Sequence, residues 1–165
     1  MRRVDLPDTV KVHNRDHVIS IFEGFEIQTD GDPTPEGVKY HAKFYFNDHK
    51  TVNSSSNYAP TIYDVRDILD TYDWLVDKKT LVHCYAGISR ASAAVFALYC
   101  KDLGPGKEAE AMIKTYASAP YKGIDPNPLI VAFADDILER EGKMITALNE
   151  WRKTQINVET GLIIP

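Results

Sequence analysis

A single α/β domain, with a central, mostly parallel sheet flanked by helices, is what three features of this sequence predict. Runs rich in β-branched residues come first, a later strand passes through a tight loop straight into a helix, and only helices follow. At 165 residues the chain is long enough for one ordinary hydrophobic core. Residues 1–165 therefore read as one domain, with its core over about 10–153 and a tail over 154–165.

His17 to Phe22, His-Val-Ile-Ser-Ile-Phe, reads as the first strand. Thr29 to Gly37 contains Asp30-Gly31-Asp32-Pro33 and reads as a loop. Val38 to Phe46 alternates enough for a second strand, which delivers the chain to Asn47-Asp48-His49. Lys50 to Tyr58 is polar, holds Ser54-Ser55-Ser56, and is expected to be a mobile loop. Pro60 suits a first helical position. Ile62, Val65, Ile68, Leu69, Tyr72, Leu75 and Val76 then form one apolar stripe at helical spacing. Asp64, Arg66, Asp67, Asp70 and Asp73 read as its solvated face, not as a metal cluster.

Thr80 to Cys84 is a short strand. Arg90 to Leu103 is a helix whose small residues (Ala91, Ser92, Ala93, Ala94, Ala97) permit close packing, and Gly104-Pro105-Gly106 stops it. A helix over about Lys107 to Ser118 follows. Another starts at Asn127-Pro128, a cap with a first-turn proline, and runs through Glu141. Gly142 separates it from a last helix ending near Lys153. Trp74 and Trp151 fall on apolar helical faces and are expected in the core.

The composition, 44% apolar and 26% charged, is that of a globular protein. A formal net charge of −5 opposes a general nucleic-acid or membrane-surface binder. Arg2-Arg3 is followed by no apolar run, so no signal peptide is expected, and no stretch is apolar enough to cross a bilayer. Cys84 and Cys100 are too few for a disulfide framework and too isolated for a zinc site. No metal or other cofactor is expected, a reducing cytoplasm fits best, and the oligomeric state is left open.

The stretch that carries chemistry is His83-Cys84-Tyr85-Ala86-Gly87-Ile88-Ser89-Arg90, between a predicted strand and a predicted helix. A strand–tight loop–helix turn aims backbone N–H groups at one point, and the helix N-terminus adds positive potential there. Gly87 permits the turn. Arg90 can bring a planar guanidinium back over the loop for a bidentate grip on a phosphate. The field that holds such an anion also favours a thiolate at Cys84. His83 faces the other side of the strand and reads as a support for the loop. A plain buried cysteine is the alternative for Cys84, against which the neighbouring histidine, glycine and arginine weigh. Cys100, among Phe96, Leu98 and Tyr99, reads as core.

His-Cys-x-x-Gly-x-x-Arg resembles the signature of the protein-tyrosine-phosphatase superfamily, and Ala-Gly-Ile-Ser-Arg looks like its compact dual-specificity branch. The length and the Pro126-Asn127-Pro128 to Met144 region look like small bacterial-type members. The resemblance implies metal-independent hydrolysis of a phosphate monoester through a phosphocysteine. Cys84 would be the nucleophile, Arg90 would bind the phosphoryl group, and Tyr85, Ala86, Gly87, Ile88 and Ser89 would supply loop amides. The substrate would be a phosphorylated protein or another phosphate monoester.

The family usually places Ser or Thr directly after the arginine, where this chain has Ala91. That departure keeps open a catalytically weak phosphate- or phosphoprotein-binding module. An RNA 5′-phosphatase and a phosphoinositide phosphatase also stay open, although a loop without lysine disfavours a highly charged inositol phosphate. An arsenate reductase or a sulfurtransferase fits the pattern less well.

A leaving group needs a proton, so a carboxylic acid is expected on a loop above the pocket. Asp48 follows a predicted strand and precedes the serine run, and the resemblance implies the acid there, at a slightly long spacing. An ordinary turn aspartate is the alternative, and His49 is the second candidate acid. Asn127 reads as an N-cap, and the resemblance adds a place beside the substrate. Tyr121 and Lys122 are candidate rim residues. His13, His17 and His41 show no ligand spacing.

Overall fold

The computed structural model describes residues 10–11, 14–29, 33–52, 57–120 and 123–159. Strands β1 (His17–Phe22), β2 (Tyr40–Tyr45) and β3 (Thr80–His83) form one sheet in the order β2-β1-β3. Both pairings are parallel, with Ser20 opposite Lys43 on one side and His83 on the other. Central β1 is covered on both faces, and Val18, Ile19, Ile21 and Phe22 are all buried. Parallel pairing brings the three carboxyl ends to one edge. The segments that leave them, at Glu23, at Asn47 and at Cys84, therefore start side by side.

A 3₁₀ segment (Gly24–Thr29) follows β1. The helices are α1 (Ile62–Asp70), α2 (Tyr72–Leu75), α3 (Arg90–Leu103), α4 (Glu108–Ser118), α5 (Pro128–Ile137) and α6 (Lys143–Glu159). The fold class is the one predicted, and the differences are local. The helix expected from Pro60 starts at Ile62, because Thr61 and Asp64 close a reciprocal capping box ahead of it. Asp64 is thus a cap rather than part of a solvated face.

That helix is also broken at Thr71, whose hydroxyl donates to the Ile68 carbonyl at 2.6 Å. Trp74, four residues past Asp70 and so on the face of the acidic residues, is 70% exposed, and Val76, just past the end of α2, is 44% exposed, so neither joins the core. Trp151 does pack inward, against Tyr116. Helix α5 stops at Ile137 rather than Glu141. Arg140 N–H donates to the Asp135 carbonyl, and the buried Asp135 carboxylate accepts from the N–H groups of Gly142 and Met144. Glu139 and Glu141 take positive φ in that turn. Helix α6 runs on to Glu159, past the end expected near Lys153.

The main core lies on the sheet face of Ile21, Phe44 and Val82, and joins it to α1, α3, α4, α5 and α6. The small residues of α3 are used as expected. Ala93, Ala94 and Ala97 have no exposed surface, and α3 contacts β3, α1, α4 and α5. A smaller cluster of Val10 and Val18, with Val38 and Leu81, closes the opposite face.

One close approach sets the geometry at the carboxyl edge. A Cβ on Gly24 would stand 2.0 Å from Tyr58 Cβ. Asn47 ties the same place together: its side chain accepts from Gly24 N–H at 2.8 Å, and its own N–H donates to the Tyr58 carbonyl at 2.6 Å. Gly24→Ala is therefore expected to destabilise the fold by about 1–3 kcal/mol, as overpacking does. Tyr58→Ala keeps the clashing Cβ and should not rescue it. Tyr58→Gly should rescue in part, since Tyr58 already has a φ of 59°. Urea denaturation of the three variants checks this ordering.

Candidate active site

Residues Cys84 to Ser89 form the loop between β3 and α3. Gly87 sits at a φ of 69°, the left-handed region that glycine enters without strain. The last two carbonyls of the loop are engaged. Ile88 C=O accepts from Asp125 N–H at 3.0 Å, and Ser89 C=O accepts from Asn127 N–H at 3.2 Å. The Ser92 hydroxyl donates to both of these carbonyls. In trans peptides the N–H points opposite the C=O, so the amides of Ser89 and Arg90 face away from these partners, toward the inside of the loop. Cys84 is buried at the loop's start, and Tyr85 stands half exposed beside it.

Arg90 begins α3 and is only 3% exposed. Its Nη1 donates to the carbonyls of Phe22, at 3.1 Å, and Phe46, at 2.7 Å. Its Nη2 donates to Glu23 in a tight ion pair. The Nε–H is buried and has no hydrogen-bond partner among the described residues. The guanidinium is thus anchored on its β1 and β2 side through three of its five N–H donors, with Nε–H among those left uncommitted.

Asp48 is exposed just beyond β2, and its Oδ1 accepts two hydrogen bonds. One comes from the Ser89 hydroxyl of the loop at 2.7 Å, the other from the Asn127 amide at 2.7 Å. Asn127 is fully buried and divides its side chain. Its Oδ1 caps α5 by accepting from Leu129 and Ile130 N–H, while its Nδ2 donates to Asp48 and to the His49 carbonyl. A cleft opens over this meeting point, bordered by Glu23, Asp48, Lys50, Asp125, the loop residues and Arg90. The structure thus brings Cys84, Arg90, Asp48 and Asn127 together at one place. His49 reaches the site through its carbonyl, and Tyr121 and Lys122 lie outside the described residues, as do Ser54-Ser55-Ser56.

His83 lies behind the loop. Its Nε2 hydrogen-bonds the buried Ser20 hydroxyl at 2.6 Å, and the same hydroxyl meets His41 Nε2 at 2.7 Å, linking all three strands. Ser20 and His41 carried no signal at the sequence level, because each depends on strand register, and Glu23 depends on the folding back of Arg90. A charged residue directly after a buried strand was the one hint of Glu23. Cys100 is fully buried in the core, and burial, reinforced by Glu108, pushes its thiol up to about 12.

Comparison with solved structures identifies the architecture. The chain superimposes on the human tyrosine phosphatase-like serine/threonine/tyrosine-interacting protein with a TM-score of 0.58, at 22% identity over 82% of this chain and 83% of that one. Human DUSP28 gives 0.58 at 15% identity over 81% of each chain. The fold is that of the compact dual-specificity phosphatases. Tk-PTP in its active form shares it too, with a TM-score of 0.52 at 17% identity over 84% of this chain and 89% of that one. No protein-family model matches the sequence, and no curated protein shows significant sequence similarity to it. Within this dual-specificity phosphatase fold, the loop from Cys84 to Arg90 occupies the carboxyl edge of the sheet, where open α/β folds bind ligands.

The Arg90–Glu23 pair gives a stability test. Removing one partner of a mostly buried ion pair leaves the other uncompensated, and Glu23 retains 28% exposure, which lessens the penalty. Glu23→Ala is expected to cost about 1–3 kcal/mol in a denaturant titration. Glu23→Gln keeps an acceptor for Nη2 and should lose less.

Proposed function

We propose that the protein is a cysteine-dependent phosphatase that hydrolyses phosphate monoesters without metal, of the protein-tyrosine or dual-specificity type. The observation that carries this reading is the hydrogen bond from Ser89 to Asp48, which holds a carboxylic acid against the loop that begins at Cys84 and ends at Arg90. In the proposed reaction, the Cys84 sulfur attacks phosphorus, and the ester oxygen leaves with a proton from Asp48. The uncommitted Nε–H of Arg90 and the inward loop amides take the equatorial oxygens. Water, deprotonated by Asp48, then attacks the phosphocysteine and releases phosphate and the Cys84 thiolate. The substrate is a phosphorylated protein or another phosphate monoester. Two unpaired cysteines suit a reducing compartment such as the cytoplasm.

Two substitutions test the reading. Cys84→Ser should abolish turnover while the protein still binds vanadate or phosphate, because the loop amides and Arg90 remain. Sustained hydrolysis by this variant would overturn the mechanism. Asp48→Asn should slow alkyl phosphates much more than aryl phosphates with good leaving groups, which scarcely need the proton. Equal losses on both would mark Asp48 as structural.

A second reading, a phosphate-binding module of weak turnover, rests on Ala91. Ala91 is buried in the same cluster as Cys84, and both nearby serines are occupied: Ser89 with Asp48, Ser92 with the loop carbonyls. Thiolate departure then lacks a hydrogen bond worth about 1–3 kcal/mol, a roughly tenfold to hundredfold slowing of the second step. Rapid mixing with an aryl phosphate should show a burst of phenol ahead of a slower steady state. Ala91→Ser should shrink the burst and raise the steady rate. A phosphate-binding module would release no phenol beyond the burst.

A further inference from the structure

We propose that an ion-pair chain, Arg152–Asp125–Lys50, positions Asp48 over the cleft from helix α6; this rests on the reading of Asp48 as the acid. Asp48 is itself exposed and, among the described residues, has two side-chain tethers, Ser89 and Asn127. The Asn127 tether belongs to the short segment 125–127 ahead of α5. That segment is bonded on one side to the loop, through Ile88 and Ser89, and on the other to the Asp48 segment. Whatever fixes residues 125–127 therefore acts, alongside the direct Ser89 bond, on the distance between acid and nucleophile loop.

Two cations do so. Arg152 on α6 donates Nε–H and Nη2–H to Asp125 Oδ1, at 2.9 and 2.6 Å, and Nη2–H also to the Pro126 carbonyl at 3.0 Å. Lys50, two residues past Asp48, donates to the other Asp125 oxygen at 3.2 Å. Asp125 thus joins the Asp48 segment to α6, and Asn127, braced by Pro126, joins it to Asp48 directly. Burial pushes the Asp125 carboxyl up, but the bonds from Arg152 and Lys50 outweigh this and hold it below its ordinary value, so it stays charged at neutral pH. Arg152 and Lys50 are positioning residues: neither needs to touch the reacting atoms.

The test is the ratio of kcat/KM for an alkyl phosphate to that for 4-nitrophenyl phosphate, measured on the whole chain. Arg152→Gln should lower the ratio about tenfold, as loss of a charge-assisted bond would, with 4-nitrophenyl phosphate turnover little changed. Lys50→Gln should lower it about threefold, an exposed pair being weaker, and Lys50→Arg should restore it. Raising the salt should mimic Lys50→Gln in the wild type. Asn127→Ser, which keeps a good helix cap but removes the amide donor, guards against a folding artefact of the Arg152 change.

A uniform loss on both ester types would show a structural role and overturn the proposal, as would no loss at all. Failure of the underlying reading looks different: Asp48→Asn would then itself leave the ratio unchanged.

Discussion

The position of the Arg90 guanidinium is the constraint on which the rest of the site depends. It is nearly fully buried, and burying a cation is costly unless it is paired and hydrogen-bonded. The partners it finds are the carbonyls that end β1 and follow β2, plus the carboxylate directly after β1. One side chain at the head of α3 therefore ties together segments from two strands, while its backbone closes the loop from the third. The parallel order β2-β1-β3 is what makes this possible, because only parallel strands deliver three carboxyl ends to the same edge. The geometry also divides the labour within one residue. Two nitrogens hold the scaffold and Nε–H is left over, so an anion entering the loop meets a donor whose position is already set.

The strands and helices were readable because each has a strong local cause. His17–Phe22 and Arg90–Leu103 fall where β-branched density and small-residue helical spacing put them. Boundaries moved where side chains overrode the pattern. Thr61 and Asp64 displaced Pro60 as the start of a helix, Thr71 broke the following stripe, and the Asp135 carboxylate ended α5 early. Trp74 shows a different limit: its apolar ring argued for burial, but four residues past Asp70 its helical phase sets it on the solvated face. Periodicity reads an uninterrupted helix and does not register a hydroxyl that competes for a carbonyl.

The site was legible in part for the same reason. Cys84, Gly87 and Arg90 lie on one continuous stretch, so spacing alone brings them together. Asp48 was a candidate because the resemblance implies an acid after a strand upstream of the cysteine, and the structure sets it against the loop. Ser20 answers to strand register, Glu23 to the folding back of Arg90, and Arg152 and Lys50 to the docking of a distant helix, none of which leaves a local pattern. Asn127 was seen as a cap or as a pocket residue; in the structure it is a cap whose amide also holds Asp48, and it does not itself line the cleft. A primary amide has an acceptor and donors on separate atoms, so one end can cap α5 while the other holds Asp48. Aspartate at 127 would cap equally well and present no donor. The choice of residue there is set by the second task.

The hydroxyl groups follow a similar logic of single commitments. A serine has one proton to donate. Ser92 uses its proton on the loop carbonyls, which helps turn the amides inward, and Ser89 uses its proton on Asp48, which holds the acid. On the proposed mechanism, neither can donate to a departing Cys84 thiolate without releasing a bond it already makes. Position 91, next in the helix and in the same buried cluster as Cys84, is where an additional donor would cost no existing bond, and it is alanine. The arrangement thus favours binding and attack over release. On the proposed mechanism, the loop is built to capture a phosphoryl group well and to let it go slowly, and the difference lies in one missing oxygen atom.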